Sequence, residues 1–190
     1  MVIDGAMGLF ATMPVDDVTV LDIANAVDMT SAAVYYHFAS KEQILLEGLR
    51  LFSEDLLREL REQLPGADDV NGVRHLLSHV MGWIGRHRTT ATVYFVNSIG
   101  LNLLVEALRR ETRMQMVALL RDAVRAARGR LSSAEAGVIA VGLVSLIETS
   151  AASMLNEDVT YQSLGVRRFV HEVTAIGDRI AGIERPGRAS

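Results

Sequence analysis

An all-α fold is predicted by three features of this 190-residue sequence. Apolar residues recur every three or four positions over most of its length, and no stretch alternates apolar and polar residues as a strand would. The three prolines, Pro14, Pro65 and Pro186, fall between periodic runs or in the tail rather than inside them. Within that class, the first 50 residues stand apart because their helices are short and their capping residues dense.

Thr19 followed by Asp22 forms a capping box with aspartate in place of glutamate, and it opens a helix that carries Val20, Ile23, Ala24 and Val27 inward. A turn over Asp28 to Ser31 follows. Thr30 caps a second short helix, in which Val34 and Phe38 lie one turn apart and face the core, and Ser40 caps a third. That third helix is long, because Leu45, Leu49, Phe52, Leu56 and Leu60 keep one apolar stripe from Lys41 to Leu64, where "PGADD" ends it. Val73, Leu76, Leu77, Val80, Met81 and Ile84 mark the next helix, and Val96, Ile99, Leu103 and Leu104 predict another. Met116, Leu119, Leu120, Ala123, Val124 and Ala127 stripe a further one, with Arg121, Arg125 and Arg128 outward. After "GRLSS" comes a helix over Ser133 to Asn156 that is apolar almost all round, and the last helix repeats Val166, Phe169, Val170, Val173, Ile176, Ile180 and Ile183.

Composition narrows the classes of function. With 49% hydrophobic and 22% charged residues the chain is globular, and the absence of cysteine removes disulfides, thiolate nucleophiles and cysteine-based zinc sites together. The start "MVIDGAMGLF" has Asp4 where a signal peptide carries lysine or arginine, so a cytoplasmic protein is expected. Ala136 to Asn156 is long enough to span a bilayer, but Glu148, Thr149, Ser150 and Ser153 dilute it and no basic cluster flanks it. A buried helix and no membrane partner are therefore expected. No paired nucleophile and base, phosphate loop or strong metal motif appears, so neither an enzyme nor a cofactor or metal site is predicted.

The densest chemistry is "YYHF", Tyr35 to Phe38, in a chain with 5% aromatic residues. Two short helices joined by a tight turn, the second capped by a hydroxyl residue, is the layout of a helix-turn-helix whose second helix enters the DNA major groove. With Val34 and Phe38 inward, a rotation of 100° per residue puts Ala32, Ala33, Tyr36 and His37 outward and Tyr35 on the flank. Tyrosine and histidine suit phosphates, and small alanines let the backbone approach base edges. Core packing between three short helices is the other reading of the cluster, and capping alone is the other reading of Thr19, Thr30 and Ser40. Lys41, at the start of the next helix, is placed to share a phosphate with that helix's amino-terminal N–H groups.

Along "TVLDIANAVDMTSAAVYYHFASKEQILLEGL", Thr19 to Leu49, the sequence resembles the DNA-binding signature of the tetracycline-repressor (TetR) family of bacterial transcription regulators, and "YYHFASKE" is the most specific part. "VIDGAMGLFATM" resembles that family's first helix. The resemblance implies an N-terminal three-helix helix-turn-helix domain at 1–50, a larger helical ligand-binding and dimerisation domain at 51–185 and a tail at 186–190. It also implies a homodimeric repressor on a palindromic double-stranded operator, released by a small-molecule effector. By position it points to Ser31, Ala32 and Ala33 for bases and to Tyr35, Tyr36, His37 and Lys41 for phosphates, with Thr19 able to cap and also touch phosphate. A helical ligand-binding or protein-interaction dimer with little DNA affinity is the alternative. Residues 1–52 hold Lys41 and Arg50 against seven acids, 2 − 7 = −5, while the remainder sums to 17 − 16 = +1. Because DNA readers present basic faces, a basic segment upstream of Met1 is expected in the native protein.

In the larger domain, Trp83, His87, Tyr94, Asn97 and Asn102 flank apolar stripes and are candidates to line an effector pocket, as is Glu148. Glu148 needs an arginine, a helix terminus, a ligand cation or the partner subunit, because a buried carboxylate without a partner is costly. His75 and His79 have metal-ligand spacing but lie opposite the apolar stripe, where a solvated polar face is the simpler reading. Apolar residues all round Ser133 to Asn156 exceed what one core face can bury, so this helix and the last are expected to pair with their symmetry mates. The interface is placed on Gly137, Val141, Gly142, Val144, Ala151, Phe169, Val173, Ile176 and Ile180.

Overall fold

A computed structural model describes residues 1–64, 72–128 and 130–182. The "PGADD" turn, Ile183 and the tail at 186–190 lie outside the described residues. No strand occurs among the described residues, in agreement with the all-α expectation.

The helices in chain order are α1 (Val2–Thr12), α2 (Val20–Ala26), α3 (Ser31–His37), α4 (Lys41–Glu62), α5 (Gly72–Arg86), α6 (Arg88–Thr92), α7 (Leu103–Arg128), α8 (Ser133–Asn156) and α9 (Val159–Ile180). A 3-10 turn covers Val15–Asp17, and α6 widens into a π-helical turn over Val93–Asn97. Two compact units emerge: residues 1–55 with 87–110, and residues 56–86 with 111–190. By compactness, therefore, α6 and the start of α7 go with the N-terminal unit, whereas the sequence places all of 51–185 in one domain.

In the first unit, α1 packs on α2, and α2 on α3. The core consists of Met7, Phe10, Ile23, Val34, Ile44, Leu45 and Leu49, all essentially inaccessible. Two glycines let helices approach closely. A methyl group on Gly48 of α4 would lie 2.5 Å from the Met7 sulfur, and one on Gly5 of α1 would lie 2.4 Å from a Val27 methyl. Phe52, Tyr94 and Phe95 form an aromatic cluster with ring centroids 4.9 to 5.9 Å apart.

The expected single helix through Val96, Ile99, Leu103 and Leu104 is instead two elements. Gly100 at φ 75° turns the chain, Asn102 Oδ1 accepts from the Leu104 and Val105 amides at 3.0 Å, and α7 starts there. Local capping chemistry prevails over the apolar spacing. The result leaves Leu103 and Leu104 exposed.

In the second unit, α5, α8 and α9 pack on one another. Ser132 caps α8 in a box with Glu135, and Asp158 caps α9. Gly165, at φ 69°, interrupts α9 after its first turns. Helix α8 is long and apolar enough to cross a membrane by length and composition, yet Ala140, Leu143, Val144, Ile147 and Ala151 are buried within this unit. Arg74 reaches from α5 to the buried Asp178 on α9, its Nε donating at 2.9 Å. His79 pairs with Glu59, which takes it out of a free metal-ligand pair with His75.

Candidate nucleic-acid interface

The second helix of the helix-turn-helix is built from its ends. Thr19 Oγ1 accepts from the Asp22 amide at 3.2 Å, and Asp22 Oδ2 accepts from the Thr19 amide at 2.9 Å. The Thr19 hydroxyl also donates to Asp22 at 2.6 Å. These bonds, the hydroxyl first, hold the Asp22 carboxyl below its ordinary pKa and keep it ionised. After α2, Asp28 adopts the left-handed conformation at φ 53°, which aspartate tolerates better than most residues, and the Met29 amide closes the turn on the Ala24 carbonyl at 2.9 Å. Thr30 Oγ1 then accepts from the Ala33 amide at 3.2 Å and starts α3.

On α3 only Val34 is fully buried, and its period fixes the opposite face. Tyr36 is 85% exposed and Tyr35 56%, and Ala32 and His37 are exposed beside them. Ser31 and Ala33 are half-buried. The Tyr36 and His37 rings meet edge to face at 5.0 Å, which orients both. Phosphate oxygens only accept hydrogen bonds, so a phosphate ligand must have a free donor. Among the described residues, the hydroxyls of Tyr35 and Tyr36 and the His37 ring make no hydrogen bond within the protein.

Two residues expected at phosphates are committed elsewhere. The Thr19 hydroxyl proton is used in its own cap. Lys41 Nζ donates to the Val15, Asp16 and Val18 carbonyls at 2.9, 2.8 and 2.8 Å. Lys41 is the chain's single lysine, but nothing adjacent to it in sequence points to these carbonyls, which lie 23 to 26 residues away. Ser40 caps α4 through the Gln43 amide at 3.3 Å, and its hydroxyl holds the Glu42 carboxyl below its ordinary range.

The six residues considered for an effector pocket are distributed over the two units. Trp83 and Glu148 belong to the second unit, and His87, Tyr94, Asn97 and Asn102 to the first. Asn97 Nδ2 donates to the Phe10 and Ala11 carbonyls at 2.8 and 3.3 Å, closing the end of α1. Tyr94 is buried with the Arg109 guanidinium 4.9 Å above its ring, and Asn102 caps α7. His87 is exposed at the start of α6 and Trp83 is buried. Glu148 pairs with Arg113, which also donates to Ser145 at 3.0 Å, so its partner is the arginine among the four options.

The residues assigned to a dimer face divide as well. Val144, Ala151, Phe169 and Val173 are buried by packing within the chain, and a methyl on Gly142 would lie 3.1 Å from Ile180 of the same chain. Val141 and Ile176 remain exposed, Val138 nearby is 74% exposed, and Gly137 faces open space. A hollow of about 300 Å³ lies between α8 and α9, floored by Leu146, Phe169 and Val173 and rimmed by Asp158 and Glu172.

Residues 2–47 match the model of the family described as bacterial regulatory proteins, tetR family. The HTH-type transcriptional repressor KstR2 of Rhodococcus jostii is 43% identical over 60 residues, a stretch that spans 32% of this chain and 29% of that repressor. Among solved structures, the fatty acid degradation regulator FadR of Bacillus halodurans superposes with a TM-score of 0.74 at 16% identity, covering 97% of this chain and 98% of that one. FadR of Bacillus subtilis, in complex with stearoyl-CoA, does so with 0.75 at 14% identity over 97% and 98%.

Proposed function

We propose, from the premise that this chain belongs to the tetR family of bacterial regulatory proteins, that it is a ligand-responsive transcriptional repressor. The observation that carries this reading is the outer face of α3, where Ala32, Tyr35, Tyr36 and His37 stand exposed on a helix capped and backed by a buried core. Tyr35, Tyr36 and His37 hold phosphates, while Ser31, Ala32 and Ala33 meet base edges. With no arginine or lysine at the head of α3, thymine methyl groups rather than guanine supply the main base contact. Residues 1–50 thus act as the DNA-binding domain and 51–185 carry the effector and dimer functions. The protein works in the cytoplasm as a two-fold dimer on a palindromic operator, paired through the exposed apolar residues of α8 and α9, Val138, Val141 and Ile176.

Fluorescence anisotropy with the DNA upstream of the protein's own gene, at fixed salt, tests this reading. Saturable binding tighter than to scrambled DNA is expected, and sedimentation at micromolar concentration should give twice the chain mass. Because one neighbour in fold was solved with stearoyl-CoA, acyl-CoA thioesters are the first effector class to add. A second reading has one specific observation in its favour, the charge of −5 over residues 1–52 derived above. It is a helical protein-interaction or ligand-binding dimer with little DNA affinity, and equal affinity for operator and scrambled DNA would select it.

A further inference from the structure

Electrostatics alone gives no reason for a lysine at position 41. Lys41 is the first residue of α4, where the helix dipole favours an anion and disfavours a cation. The chain has 19 lysines and arginines together, and only this one is lysine. Three donors on one tetrahedral nitrogen meet three carbonyls, those of Val15, Asp16 and Val18, at 2.8 to 2.9 Å, so the ammonium is saturated. A planar guanidinium spreads its donors in a fork and cannot converge on three carbonyls around one point. The carbonyls belong to the 3-10 turn Val15–Asp17 and to Val18, the residue before the Thr19 cap of α2. The side chains of Val15 and Val18 are buried, so this short segment is pinned from both sides.

We propose that Lys41 is a positioning residue of the DNA-binding unit and not a phosphate ligand: its ammonium ties the start of α4 to the segment that launches α2, and so sets how α2 presents α3 to DNA. The inference deepens the reading of α3 as the recognition helix and rests on it for its DNA consequences. Swinging the ammonium to a phosphate would strip three backbone carbonyls of their partner, so the knot and the phosphate contact exclude each other.

A single lysine makes the test direct. Protein labelled with 15N at lysine gives one Nζ resonance, expected to exchange slowly with water in the free protein and to keep its position when operator is added. Fast exchange in the free protein, or a new coupling to phosphorus in the complex, would overturn the proposal. In parallel, Lys41→Met and Lys41→Arg are compared with wild type at a temperature where circular dichroism shows all three folded. Both variants should lose about tenfold in operator affinity with a smaller loss on scrambled DNA, at an unchanged slope of log K against log salt. A slope shallower by about 0.9, or full rescue by arginine, would instead assign Lys41 to a phosphate. Should wild type bind no DNA selectively, the function reading falls, while the exchange rate of the free ammonium still decides whether the knot exists.

Discussion

The short helices of the first unit are held chiefly from their ends, whereas the long helices of the second, although α8 and α9 are capped too, are also held from their sides. Thr19, Thr30 and Ser40 each satisfy an amide within three residues, so α2, α3 and the start of α4 are specified by neighbours in sequence. In the second unit, Arg74 to Asp178, Arg113 to Glu148 and His79 to Glu59 join residues 104, 35 and 20 positions apart (178 − 74, 148 − 113, 79 − 59). End-held helices leave their outer faces free for a partner. Side-held helices use those faces to build a core.

The contrast is broken most severely at Asp178. Replacing it with alanine leaves the half-buried Arg74 guanidinium without its carboxylate, and should cost the second unit about 3 kcal/mol in urea unfolding while α3 keeps its fold. Exchange of Tyr36 for alanine should do the reverse. An 85% exposed ring with no hydrogen bond within the protein contributes little to stability, but its loss should weaken binding to all DNA sequences alike, by about tenfold. Bulk at Ala33, such as leucine, should change sequence preference instead, and a base-substitution series separates the two. If both variants lose affinity uniformly, the division between phosphate and base contacts on α3 is wrong.

Removal of the Thr30 cap, as Thr30→Ala, should cost about 1 kcal/mol and reduce operator affinity in proportion to the α3 population lost, measured by thermal melting beside anisotropy. The smallest effect is that of acid. Asp22 in the first unit and Asp158 in the second are both held below the ordinary value of 3.8, chiefly by the Thr19 and Ser153 hydroxyls respectively. Folding depresses both pKa values, so this stabilisation is fully present above the ordinary value and is lost as pH falls through the lower folded one. Helicity should therefore be flat from neutral pH to about pH 5 and decline only in stronger acid, and Asp22→Asn should flatten the part due to α2.

The sequence by itself determined whatever depends on adjacent residues. Capping reaches three residues and a helix turns 100° per residue, so Thr19, Asp22, Thr30 and Val34 suffice to place α2, α3 and the exposed face of Tyr36 and His37. The same local chemistry, Gly100 followed by Asn102, was sufficient to divide Val96 from Leu103, although the apolar spacing suggested one helix. Tertiary structure alone decided which chemically adaptable groups were already taken. Lys41 turns back 23 to 26 residues to three carbonyls, Asn97 reaches 86 to 87 residues to close α1, and Glu148 meets Arg113. Packing within the chain likewise claimed Val144, Ala151, Phe169 and Val173 and left Val141 and Ile176 uncovered. An apolar stripe states that a face will be buried, but the covering helix is chosen by shape, and a donor's partner is fixed only when distant carbonyls are brought within 3 Å of it.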